Sequence, residues 1–163
     1  MEKYIQLADD ENILTLKIKD SNGEETGESL VFNLQDIELL TKYQDLIEKD
    51  KKNRLYLKNQ FNIIEKRQDH SGKKLLTANE EAKVKAMQEF YKKETEIYNI
   101  FLGERGVEKL LNGRELSWNS LEMIDRIIEE QIVPQLKENA TDIKADIMKK
   151  YSNKEIKEEN IIE

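Results

Sequence analysis

The stretch Ile13-Leu14-Thr15-Leu16-Lys17-Ile18-Lys19 places Leu14, Leu16 and Ile18 on one face and Thr15, Lys17 and Lys19 on the other. A period of two residues is the mark of a half-buried β-strand. The run Ser29-Leu30-Val31-Phe32-Asn33-Leu34 repeats the pattern, with Leu30, Phe32 and Leu34 sharing a face. Between the two lies Asp20-Ser21-Asn22-Gly23-Glu24-Glu25-Thr26-Gly27. Asn22-Gly23 suits a hairpin turn, because both residues tolerate positive φ. Residues 12–35 therefore read as a β-hairpin. Two strands alone are marginal in water, so the apolar face must pack on helices or on a partner's sheet.

Beyond Asp36 the period changes to helical. Asp36 is a natural N-cap, since its carboxylate can accept from unpaired backbone N–H groups. Ile37, Leu40, Tyr43 and Ile47 follow, then Leu57, Phe61 and Ile64 after a polar stretch, and neither Gly nor Pro interrupts residues 36–71. Either one helix of about 30 residues or two helices broken near 49–54 satisfies this pattern. The basic run Lys49–Lys58 reads as a solvated face. Thr77-Ala78-Asn79-Glu80 has the form of a capping box. It precedes an aromatic stripe of Met87, Phe90, Tyr91, Ile97, Tyr98 and Phe101, with Gly103 placed to end the helix. A short helix through Val107, Leu110 and Leu111 ends at Gly113. Asn119 with Glu122 offers another cap before Leu121, Ile124, Ile128 and Ile132. Pro134 is expected to kink or end that helix, since it lacks the N–H that would bond to Glu130. A polar helix over Thr141–Ser152 and a fraying charged tail complete the chain. The fold class is mainly α (α+β): an N-terminal hairpin packed on four to five helices. The division is a hairpin-plus-helical domain over 1–139 and a polar C-terminal segment over 140–163.

Composition removes many chemistries. The chain has 163 residues, no cysteine, one histidine, one proline and a formal net charge of −7. Thiol nucleophiles, disulfides and Cys-based metal sites are excluded. Leu, Ile, Val and Phe supply 44 of the 163 residues, about 27%, which is enough for a core. No apolar run reaches the length of a signal peptide or a membrane span. The acidic balance disfavours a general nucleic-acid surface. These features point to the cytoplasm, with neither nucleic acid nor membrane as partner.

No catalytic constellation emerges. His70 lies in a polar turn among Asp69, Ser71, Lys73 and Lys74, without the desolvation that would tune a base. The paired acids Asp9-Asp10 and Glu80-Glu81 read as surface charge. Asp20, Asn22 and Glu24 have the spacing of the first EF-hand ligands, but Glu25 stands where that loop needs glycine. The glycines form neither a P-loop nor a Gly-x-Gly-x-x-Gly fingerprint. Trp118, in Leu116-Ser117-Trp118-Asn119, either plugs the core or sits at an interface. The expectation is a non-enzymatic protein without cofactor or metal.

Several short motifs carry a family resemblance. Phe32-Asn33-Leu34-Gln35-Asp36-Ile37 leads from strand to helix, with Tyr43 beyond. Ile97-Tyr98-Asn99-Ile100-Phe101-Leu102-Gly103-Glu104 ends the aromatic helix, and Glu108-Lys109-Leu110-Leu111-Asn112-Gly113 follows. Over residues 12–135 this resembles the small tail assembly chaperones of long-tailed phages and prophages of Gram-positive bacteria. The resemblance implies a chaperone for virion assembly that binds and solubilises the tape measure protein and helps recruit tail tube subunits. Self-association is compatible with such work. Phe101, Leu110, Leu111 and Trp118 are the expected partner contacts. A small acidic inhibitor or regulator of a host protein, such as an anti-defence protein, is the alternative. A small enzyme built from Glu, Lys and Tyr is the third class.

Overall fold

A computed structural model describes residues 1–5 and 12–162, with side chains described as far as residue 150. Strands β1 (Ile13–Lys19) and β2 (Glu25–Asn33) form the expected antiparallel hairpin. Leu14 pairs with Phe32 and Leu16 with Leu30, so the two apolar faces coincide. Leu30 and Phe32 are buried, while Leu14, Leu16 and Ile18 pack against the core from its edge. The turn differs from expectation. Gly23 alone takes positive φ there, and Asp20 Oδ1 accepts from the N–H groups of Asn22 and Glu24, both at 2.9 Å. The acidic loop thus uses Asp20 to hold its own backbone. A bulge between Lys17 and Lys19 follows, with Gly27 at φ +80° on the opposite strand.

Helix α1 (Ile37–Glu65) is continuous, so the polar stretch at 49–54 introduces no break. Its N-cap is Asp36, whose Oδ1 accepts from Glu38 N–H at 2.9 Å. Helix α2 (Ala78–Leu102) returns antiparallel beside it; Thr77 and Glu80 close the capping box, and Gly103 at φ +96° ends the helix. The connection is tied by Asp69, whose Oδ1 accepts from His70 N–H and Asn79 N–H at 2.8 and 3.0 Å.

Helix α3 (Gly106–Leu111) packs tightly on the end of α2. A Cβ built on Gly106 would stand 2.5 Å from Leu102 Cβ, which explains glycine at this contact. Helix α4 (Trp118–Ile127) is capped by Ser117 and Ser120, not by Asn119 and Glu122. Each serine accepts from the other's backbone N–H, a box made without any acid. A π-helical turn (Ile128–Ile132) then leads directly into α5 (Val133–Ile162). The helix therefore neither ends nor restarts at Pro134. The N–H of Val133 reaches back five residues to Ile128 O, and this widened turn takes up the proline. The division at 139/140 between the hairpin-plus-helical domain and the polar C-terminal helix and tail lies within α5.

Together α4, the π turn and α5 make one rod that runs antiparallel to α1. Trp118 lies beside Arg54, Ile128 and Glu129 stand by Tyr43 and Leu46, and Gln135 and Glu138 reach the open end of the hairpin. Leu121, Ile124, Ile128, Ile132 and Leu136 bury the rod's apolar stripe against α1, α2 and the hairpin. The architecture is mainly α with an N-terminal hairpin, as the periodicities imply.

Candidate functional site

Where α1, α2 and α4 meet, the core contains charge. The helical period that buries Phe90, Ile97, Tyr98 and Phe101 also points Glu94 inward, and its side chain is 0% exposed. Asn53 Nδ2 donates to Glu94 Oε1 at 2.8 Å and to the carbonyl of Phe90 at 3.3 Å. Glu94 Oε2 has no hydrogen-bond partner, and the Asp50 carboxylate is its neighbour. Burial, reinforced by Asp50 and only partly opposed by Asn53 and Arg54, pushes the Glu94 carboxyl up to about 8. At neutral pH it carries a proton, which gives it a donor beside the Asp50 acceptor.

Arg54 holds the other side. Its Nε is 2.9 Å from Asp50 Oδ1 and its Nη2 is 3.1 Å from Asp125 Oδ2. Burial pulls the guanidinium down, but the hydrogen bond and charge of Asp50 outweigh it and hold Arg54 above its usual value. Tyr98 donates its hydroxyl to Asp125 Oδ1. Burial raises Asp125, with Tyr98 and Arg54 restraining the shift, and burial together with Asp125 raises Tyr98. The cluster bolts α1 to α2 and α4 through hydrogen bonds among its own members, and Glu94 Oε2 is left without one. Glu94 lines neither of the two cavities on either side of it. Among the described residues no group of three or more His, Asp or Glu is placed to hold a metal ion.

The guanidinium of Arg54 also lies 5.0 Å from the ring centroid of Trp118. Trp118 stacks on Phe90 at 6.2 Å and donates its indole N–H to Glu122 Oε1 at 3.1 Å. On the far side of this tryptophan, no third helix among the described residues covers α1 and α2. Between them opens a groove of about 530 Å³, with Tyr56, Leu57, Ile64, Ala82, Ala86 and Phe90 among its walls. Arg67, Lys85, Lys93 and Glu89 also line it, and Lys85 and Lys93 pair with Glu81 at 3.9 Å and Glu96 at 4.0 Å. The groove has heptad spacing on α1 (Asn53, Leu57, Gln60, Ile64) and on α2 (Ala82, Ala86, Glu89, Lys93), the pattern of a seam for a further helix.

The four expected contact residues do not form one surface. Phe101 is 3% exposed and packs on Phe32 and Tyr43, with ring centroids 5.7 and 5.6 Å away. Leu111 is buried too, and Leu110 is half-buried beside it in a separate hollow with Ile18 and Met123. Trp118 alone is exposed, at 42%, and Phe90 links it to the groove. Phe101 and Leu111 are thus corrected to core residues: their helical spacing marks burial, and the hairpin and α3 supply the cover. His70 is exposed, its carbonyl accepting from Ala78 N–H at 2.9 Å. The pair Asp9-Asp10 lies outside the described residues. Among the described residues no helix is long and apolar enough to cross a membrane. No family model matches the chain, and no curated protein or solved structure matches it either.

Proposed function

We propose that the protein is a non-enzymatic tail assembly chaperone, which binds helical segments of a tape measure protein, keeps that protein soluble and helps recruit tail tube subunits. The observation that supports this reading is the groove between α1 and α2, an unfilled helix seam of about 530 Å³ with apolar walls and a rim of Arg67, Lys85 and Lys93. An amphipathic helix buries its apolar face in such a groove, while charged rim residues select its register. Its walls span about 17 Å, from Asn53 to Ile64 and from Ala82 to Lys93 at 1.5 Å per residue. A contact of that length is modest, and many copies on one long partner gain strength by avidity yet release individually. A net charge of −7 keeps the coated chain dispersed.

Co-expression with a tape measure protein tests the reading. The partner should remain in the soluble fraction and co-purify with several copies of this chain, and Ala86→Arg, which fills the groove, should return it to the pellet. Equal precipitation of the partner with and without this protein would sink the proposal.

A further inference from the structure

The turn between α1 and α2 is closed at its base. Ala78 N–H donates to His70 O at 2.9 Å, Asn79 N–H to Asp69 Oδ1 at 3.0 Å, and Asn79 Nδ2 to Arg67 O at 3.1 Å. Ser71-Gly72-Lys73-Lys74-Leu75-Leu76 is therefore a short loop on a fixed stem, and every residue in it is exposed. Two adjacent leucines face solvent, Leu75 at 98% exposure and Leu76 at 38%. The loop also projects. The rod begins at Trp118 beside Arg54, and α1 runs on from there to Glu65, a further 17 Å or so at 1.5 Å per residue.

Charge separates along the same axis. From Leu55 to Lys93 nine lysines and arginines stand against five acids, a surplus of four positive charges in a chain whose net is −7. The remainder therefore carries −11. The acids near the loop are engaged. Glu65 pairs with Lys83 at 3.1 Å and Glu81 with Lys85 at 3.9 Å, Glu80 Oε2 accepts from Thr77 N–H, and Asp69 accepts from His70 and Asn79. Among the described residues Lys66, Arg67, Lys73 and Lys74 make no ion pair.

From this combination we propose that the 71–76 loop docks the protein on an anionic lipid surface. Leu75 and Leu76 enter the interface, while Lys73, Lys74, Lys66 and Arg67 meet the headgroups. A nucleic acid would engage the cations and leave the leucines in water. A protein partner would need a pocket shaped for a projecting loop, whereas a bilayer interface admits the leucines and attracts the cations without one. Composition points away from a membrane partner because it averages over two ends of opposite charge. At physiological salt screening acts over about 8 Å, and the loop stands about twice that distance beyond the start of the rod, so the surface meets the basic end alone. Docking through one such loop is reversible, since even a single myristoyl chain anchors only marginally.

Co-sedimentation of the full chain with lipid vesicles provides the test. The protein should pellet with vesicles of phosphatidylcholine and phosphatidylserine in equal parts, stay in solution with pure phosphatidylcholine, and release as salt is raised. Lys73→Gln/Lys74→Gln should weaken binding roughly 30-fold, the usual effect of two basic residues near an anionic surface. Leu75→Ser/Leu76→Ser should weaken it about tenfold, through the apolar surface no longer buried. Both double variants change exposed side chains, so their circular dichroism should match that of the parent. No pelleting with the mixed vesicles, or equal pelleting with both kinds, would overturn the proposal. So would either variant binding as the parent does, because the loop is then not the contact. Tighter binding to polyglutamate or single-stranded DNA than to the mixed vesicles would overturn it too, since the partner is then another polyanion. The measurement involves neither the groove nor a tape measure protein, so it stands or fails apart from the chaperone reading.

Discussion

The same pair of helices is finished at one end and unfinished at the other. From Phe90 to Leu102, α2 buries Phe90, Glu94, Ile97, Tyr98, Phe101 and Leu102 under the hairpin, α3 and the rod. From Ala78 to Glu89 it buries no side chain. On α1, Leu39 and Leu46 belong to the main cluster of buried residues, whereas Ile64, 4% exposed, lies outside it near the bare end. The bare half of α2, rich in Ala, Glu and Lys, has the better helical propensity, so propensity does not explain the contrast. What differs is the number of layers: a helix pair becomes a core only where a third element covers its seam. The lesson is that amphipathic spacing reports the ability to be buried, while burial itself depends on where the next element begins.

The largest expected effect breaks the finished end. Phe101→Ala removes a ring that packs on Phe32 and Tyr43 in a site with 3% exposure. It should lower stability by about 3–5 kcal/mol, as large-to-small changes of a buried aromatic do. Urea titration of both proteins gives the difference. A loss below about 1 kcal/mol, in the range of surface substitutions, would mean that the finished end is looser than its burial implies.

The boundary between the two ends is the charged cluster, and it should respond to pH. Folding raises the Glu94 carboxyl from its ordinary 4.5 to about 8. Between those values the folded chain holds a proton that the unfolded chain has released. The stabilisation is therefore complete below about pH 4.5 and lost as pH rises toward 8, at about 1.4 kcal/mol per unit. Glu94→Gln keeps an acceptor for Asn53 and a donor for Asp50 but cannot ionise. Thermal melts from pH 5 to pH 8 should show the native protein losing stability faster than this variant. Parallel profiles would show that Glu94 is already ionised in the native state.

Much of this architecture is legible in the sequence itself. Alternation in Ile13–Lys19 and Ser29–Leu34 fixes both the hairpin and its buried face, because a one-residue slip would expose every apolar side chain. Thr77 and Glu80 mark the start of α2 for a local reason, the hydrogen bonds at a helix end. The cap of α4 is harder to see: Ser117 and Ser120 make a reciprocal pair without the acid that usually advertises one. Glu94 does leave a signal, since it stands four residues after Phe90 and four before Tyr98 on the stripe that the aromatics define. The basic run Lys49–Lys58 hides its partners, because Asn53 and Arg54 turn inward from a stretch that reads as solvated. The groove leaves no local mark. It exists because α4 begins at Trp118 and not a few turns earlier, a matter of three-dimensional placement that spacing along α1 or α2 does not encode.

The smallest effect on stability is the one that sharpens the comparison most. Tyr56 lines the groove and is 58% exposed, so few of its contacts depend on folding of the isolated chain. Tyr56→Ala should change stability by no more than about 0.5 kcal/mol, the usual range for a surface site. The same substitution removes one of the larger apolar surfaces that an incoming helix would meet, and aromatic residues commonly dominate such contacts. Co-purification of the tape measure protein at matched concentrations should therefore fall several-fold while urea melts of the two proteins nearly coincide. Phe101→Ala should give a different signature, with a large loss in the melt and association impaired only as far as folding is. If Tyr56→Ala instead destabilises the chain as strongly as Phe101→Ala, the bare half of the helix pair is core after all. If it alters neither measurement, Tyr56 contributes nothing to the seam, and the assignment of this wall of the groove to helix binding fails.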